Sequence, residues 1–147
     1  MSARAIPAGA PARRLGRSAG AVALGLVAVV VLSLGTDQVL HTLHVYPPWG
    51  QPMWDPRLNA LALAYRLVYG TLGGYLMARY APHTPMRHAM TGGAIGFMLS
   101  ALGAAAAIDM QMGPAWYPIA LALSALPTSW AGASIAIARG EAAGPEL

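Results

Sequence analysis

Apolar positions along the chain cluster into four long runs divided by short polar, proline-bearing stretches. Residues 1–17 carry Arg4, Arg13, Arg14 and Arg17 with Pro7 and Pro11, and read as a flexible basic tail. An apolar run fills 18–43 and turns polar beyond Gly35. Residues 44–57 contain Pro47, Pro48, Pro52 and Pro56 together with Trp49 and Trp54. Proline cannot continue a helix interior, so this stretch reads as an ordered interfacial loop. A second run covers 58–79, a Pro-containing turn 80–87, a third run 88–109, a tight loop 110–115 and a fourth run 116–138, leaving a frayed polar tail at 139–147. A helical span needs about 20 mostly apolar residues, and each run supplies them. The pattern predicts an all-α integral-membrane bundle of four helices, with residues 18–138 as its membrane domain.

Composition sharpens this. Of 147 residues, 56% are hydrophobic and only 10% charged, against about 25% charged in an ordinary soluble domain. That excludes a soluble enzyme and a disordered chain. With no Cys there is no disulfide, thiolate nucleophile or Cys-ligated metal. All nine basic residues are Arg. They form no stripe with interleaved aromatics, so nucleic acid is not a partner. They sit instead at the ends of apolar runs. With the N-terminus inside, Arg4, Arg13, Arg14, Arg17, Arg79, Arg87 and Arg139 lie on the inner side, against Arg57 alone outside. This bias predicts cytoplasmic N- and C-termini, and it places Trp49, Trp54, Trp116 and Tyr117 together at the outer interface. The run 19–35 is longer than a signal-peptide core and no A-x-A cleavage site follows, so an uncleaved anchor is expected. Arg-only, Ala- and Gly-rich usage points to a GC-rich bacterial genome and hence to an inner membrane.

Arg66 is the most informative position. A charge within a span costs several kcal/mol, to order of magnitude, and positions 66, 70, 73 and 77 share a helical face bearing Gly70 and Gly73. Arg66 therefore points into the bundle and needs a partner. Asp37, a turn or so away in depth, is the first choice and Asp109 the second. Asp37, His41 and His44 fall at i, i+4 and i+7 on one helical stripe. The predicted intramembrane polar cluster is thus Asp37, His41, His44, Arg66 and Asp109. It has three readings: a network that sets helix register, a polar pocket for transport, or a metal site. For metal, His41 and His44 with Asp37 or Asp55 would suit zinc. The same imidazoles with Met53, Met110 and Met112 would suit copper(I). Arg66 counts against a metal dication. No cofactor is otherwise expected.

Small residues allow close approach of helices in lipid. Gly70, Gly73 and Gly74 on the second run and Gly92, Gly96 and Ser100 on the third are expected to face each other across the 80–87 turn. Pro127 interrupts the fourth run and frees the Leu123 carbonyl, with Ser124, Thr128 and Ser129 near enough to help satisfy the backbone. His83 and His88 flank a polar turn that could meet lipid headgroups or a partner. The motifs G-x-S-x-G, H-E-x-x-H and G-x-x-x-x-G-K-[ST] are absent, so no enzyme is expected.

The stretches TDQVLHTLHVYPPWGQPMWDPR at 36–57, AYR at 64–66, APHTPMRHA at 81–89 and MGPAWYP at 112–118 resemble a loose group of uncharacterised small bacterial membrane proteins over roughly residues 30–135. The resemblance implies four spans in an inner membrane and no particular activity. Three function classes stay open: a non-enzymatic accessory or structural protein packing with itself or with partners in a larger membrane complex, a small-solute or proton-linked transport subunit, and a periplasm-facing zinc or copper binder.

Overall fold

A computed structural model describes residues 10–142, with side chains from Arg14 onward. Among the described residues there are four α-helices and no strand: α1 Ala10–Thr42, α2 Pro56–Tyr80, α3 Pro85–Asp109 and α4 Trp116–Ala138. The chain is an all-α four-helix bundle. The largest departure from expectation is at the front. Helix α1 begins inside the stretch read as a flexible tail. Pro11 falls in its first turn, where a missing N–H costs no helical hydrogen bond, and Ala, Arg and Leu propagate a helix well. The remaining tail calls, 1–9 and 143–147, lie outside the described residues.

The helix ends follow local chemistry. Pro56 and Pro85 open α2 and α3, and Asp55 caps α2 by accepting from Arg57 N at 2.8 Å. Helices α1, α3 and α4 close alike. His44, Gln111 and Gly140 have positive φ, and the next residue bonds back five positions: Val45 N to Leu40 O at 2.9 Å, Met112 N to Ala107 O at 3.0 Å and Glu141 N to Ala136 O at 3.0 Å. This is the Schellman closure, whose left-handed residue is usually glycine. Only α4 uses one. Helix α4 runs through Pro127. Ser124 donates to Leu121 O at 2.7 Å, and Thr128 donates to Ser124 O at 2.8 Å and Ala125 O at 3.2 Å. The expected hydroxyl help therefore reaches neighbouring carbonyls, not that of Leu123.

Helices α2 and α3 form the middle of the bundle. Helix α1 packs on both, α4 packs on both, and α1 and α4 do not touch. The usual sorting of residues by size is reversed. Ala62, Ala78, Ala89, Ala133 and Ala136 are fully enclosed, and Met77 is the only large side chain so deeply buried among the described residues. Val27, Val31, Val68, Leu99, Leu102 and Leu123 are exposed instead. Small residues inside and large apolar ones outside is the packing expected in lipid, where backbone proximity replaces hydrophobic drive. Helices α1, α3 and α4 are each long and apolar enough to cross a membrane. Helix α2 carries Arg57, Asn59, Arg66 and Arg79 and, like α3, touches all three others.

The glycine faces pair differently from the α2–α3 expectation. A Cβ on Gly74 would lie 2.6 Å from Ser129 Cα, and one on Gly132 would lie 3.0 Å from Gly74 C. Gly74 is thus locked to α4. Gly70 also faces α4, at 3.2 Å from Thr128 Cβ, while Gly73 faces α1, at 3.1 Å from Gly25 O. On α3, Gly92 meets Met77 of α2 and Val22 of α1, Gly93 meets Ser129, and Gly96 lies 3.9 Å from Ala125 Cβ. Between α2 and α3 the close glycine approach is Gly92 against Met77, a residue outside the expected small-residue set. Gly73 is captured by α1, and Gly70, Gly74 and Gly96 by α4, whose own buried Ser129, Gly132, Ala133 and Ala136 permit the closer approach.

Candidate functional site

The polar cluster forms around Asp37 and Arg66. Asp37 is 6% exposed, and Arg66 Nη2 donates to its Oδ2 in an ion pair. The guanidinium's other arm donates from Nη1 to the Tyr117 hydroxyl. Its Cζ lies 5.4 Å from the Tyr65 ring centroid and 5.9 Å from that of Tyr117, within reach of cation–π attraction. Tyr65 donates its proton to Asp37 Oδ1. The 3.3 Å contact between the Tyr46 and Tyr65 hydroxyls must then be a donation from Tyr46, shared with Leu58 O at 3.4 Å. Burial pushes the Tyr46 phenol above its ordinary value, which keeps it a donor. Alongside, the Thr36 and Tyr69 hydroxyls bond at 2.8 Å. One carboxylate, one guanidinium and three phenols thus tie α1, α2, α4 and the first loop together, and no enclosed side-chain nitrogen or oxygen among the described residues lacks a partner.

The other sequence candidates separate from this network. His41 turns to the loop. Its Nδ1 donates to Pro47 O at 2.6 Å, and its ring packs 4.0 Å from Trp49 and 5.5 Å from Tyr46, centroid to centroid. Trp49 in turn donates to Gln38 Oε1 at 3.2 Å. His44 leaves the stripe altogether, because α1 ends at Thr42 and His44 takes the left-handed turn position, exposed to the surroundings. Asp109 is exposed at the end of α3 and makes no side-chain hydrogen bond or ion pair among the described residues. Its choice as second partner for Arg66 is corrected, since Asp37 and Tyr117 occupy both arms of the guanidinium.

The zinc set does not gather as proposed. No three His, Cys, Asp or Glu side chains among the described residues gather as a metal site requires. Met110 is 66% exposed. Met53 and Met112 do meet, but through the backbone, Met53 N to Met112 O at 2.8 Å. This bond joins the two loops at that end. Asn59, 2% exposed, secures the junction by donating to Met53 O at 2.9 Å and Asp55 O at 2.8 Å.

Sequence reasoning missed Tyr46, Tyr65 and Asn59, and took Tyr117 for an interfacial aromatic only. A signal was present. Tyr65 directly precedes Arg66, with Tyr69 one turn on, and a tyrosine drawn into a bundle needs a partner for its hydroxyl. It also missed a second polar knot at the opposite end. Arg79 pairs with Glu141, Tyr75 donates to the same carboxylate, and Arg79 Nη1 donates to the Tyr75 hydroxyl at 2.8 Å. Residues 139–142, expected to fray, are tied down by this knot, and Ala142 packs on the core. The Tyr75 hydrogen bond first, then the Arg79 charge, hold the Glu141 carboxyl below its ordinary value. Comparison with family models, with curated proteins and with solved structures returned no match.

Proposed function

We propose that this chain is a non-enzymatic packing or accessory protein of a bacterial inner membrane, crossing it four times with both termini cytoplasmic and associating with itself or with partner membrane proteins. The carrying observation is that the network around Asp37 and Arg66 closes on itself. Asp37, Arg66, Tyr65 and Tyr117 use one another's donors and acceptors, which suits a device that fixes helix register better than one that waits for a ligand. Helix α2 has 25 residues, about 37 Å at 1.5 Å per residue, enough to cross. The inner-side assignment is supported by Arg79, Arg87 and Arg139 with the start of α1 at one end, and by Trp49, Trp54 and Trp116, all exposed, at the other. Kinship with the loose group of small four-span membrane proteins belongs to the same proposal.

A double substitution tests it. Removing one partner of a buried pair costs about 3–5 kcal/mol, whereas replacing both with apolar groups is often neutral. Asp37→Leu and Arg66→Leu should each abolish a stable bundle in detergent, and the double variant should regain most of it while retaining association with its partners. A double variant that folds but loses solute flux or stoichiometric metal would overturn the proposal.

One observation favours a transport subunit as the second reading. Arg66 keeps 20% side-chain exposure and lines a cavity of about 290 Å³ shared by all four helices, with Ser33, Ser100 and Ser124 also on its wall. Reconstituted vesicles that pass a small solute with wild type and not with Ser100→Leu would favour it.

A further inference from the structure

A groove of about 620 Å³ lies between the first half of α1 and the first half of α3, at the end of the bundle away from Asp37. Its lining changes character along its length. His83, Arg87 and His88 stand at the end near the α2–α3 turn, whereas Val22, Leu26 and Ile95 line it farther along the helices. The volume is within the range of about 300–1,000 Å³ typical of ligand sites, and no Asp or Glu among the described residues contributes to the lining.

Two polar groups at the mouth have donor or acceptor atoms without a partner among the described residues. The Arg87 side chain is exposed and has no hydrogen bond or ion pair among the described residues. His88 is only 9% exposed and makes one polar contact, Nδ1 to Thr84 O at 3.1 Å. A carbonyl only accepts, so Nδ1 carries the proton, and Nε2 of the neutral ring is a bare acceptor. Every fully enclosed side-chain nitrogen or oxygen among the described residues has a partner. Nε2 has none, so it must retain an opening, and the groove is the opening that His88 lines. The mouth therefore offers a cationic fork beside a hydrogen-bond acceptor, above an apolar trough. A phosphate matches the first, an N–H or O–H donor the second, and an acyl chain the third.

We propose that this groove binds one diacyl phospholipid whose headgroup carries a hydrogen-bond donor beyond its phosphate. Arg87 takes the phosphate, His88 Nε2 accepts from the headgroup amine or hydroxyl, and a chain lies along Val22, Leu26 and Ile95. The inference rests on the chain residing in a membrane, and not on the packing role proposed above.

The test is native mass spectrometry of the full-length protein released from micelles containing equal phosphatidylethanolamine, phosphatidylglycerol and phosphatidylcholine. Phosphatidylcholine has the same phosphate and no headgroup donor. Wild type should retain a single phosphatidylethanolamine or phosphatidylglycerol in preference to phosphatidylcholine. Arg87→Gln, at an exposed position, should lower retention of all three by about tenfold, as loss of one charge-assisted hydrogen bond implies. His88→Asn keeps a donor for Thr84 O and removes the second nitrogen. It should abolish the preference among headgroups while leaving the Arg87-dependent retention in place. Equal retention of the three lipids by wild type, no effect of Arg87→Gln, or a lipid-free dimer that covers the groove would each overturn the proposal. Retention is read on protein that is folded, so failure of the Asp37–Arg66 test does not imitate failure here.

Discussion

The Tyr65 hydroxyl shows how much of the Asp37–Arg66 network hangs on single atoms. It gives its proton to Asp37 Oδ1, and in Tyr65→Phe that oxygen stays buried without this donor. A loss of about 1–3 kcal/mol is expected, read as a shifted unfolding midpoint in detergent. Tyr46→Phe should cost less, because Asp37 keeps both of its own donors. At His44 the expected sign is reversed. This residue holds a left-handed conformation with φ 56, so His44→Gly should leave stability unchanged or raise it by up to about 1 kcal/mol. A large loss would mean that the imidazole does something besides turning the chain. Glu141 carries a pH dependence. Its carboxyl is held below the ordinary value of 4.5, so its contribution is fully present above that value and is lost as pH falls through the lowered one. Protection of the amides at residues 139–142, with the intrinsic pH dependence of exchange divided out, should fall as pH drops through that lowered value, and Tyr75→Phe should move the transition upward in pH. The Asp37–Arg66 pair was legible in the sequence because a charge inside an apolar run has few places to go. His44 was misplaced because i+7 spacing counts as one face only while the helix lasts, and α1 ends two residues earlier.

At the level of elements, the four helices could be read from apolar runs and the prolines between them. What periodicity could not supply was which helix each glycine meets. Gly70, Gly74, Gly92 and Gly96 form regular small-residue ladders on α2 and α3, which encouraged pairing those two helices. Serine and alanine give α4 an equally slim face, yet they are too common in this chain to stand out. The close crossing of Gly74 and Gly132 therefore emerges only in three dimensions. Its consequence is specific. Gly74→Ala would press a methyl against Ser129 backbone and should destabilise by about 1–3 kcal/mol, as overpacking does. Gly103→Ala meets nothing within 4 Å and should be neutral or slightly stabilising by helix propensity. Thermal unfolding of the two variants side by side separates contact from composition.

For the whole molecule the decisive question is whether α2 crosses the bilayer, since it is less apolar than its neighbours yet sits among them. The absence of native cysteine makes single-cysteine labelling clean. Gln51→Cys should react with an impermeant maleimide from outside intact cells, and Tyr80→Cys only after permeabilisation. Labelling of both from the same side would rule out a crossing by α2. The ion pair between α1 and α2 also has a bearing on biogenesis. Helix α1 leaves the ribosome before α2 and is long and apolar enough to cross a membrane. Helix α2 follows with Arg66 in its middle, which on insertion scales costs about 2.5–3.5 kcal/mol at a helix centre. Asp37, already embedded, is waiting at the matching depth. The order of the two residues along the chain thus becomes an order in time: on the four-span reading proposed above, Asp37→Leu should leave α2 stranded during synthesis before it shows as a weakened fold.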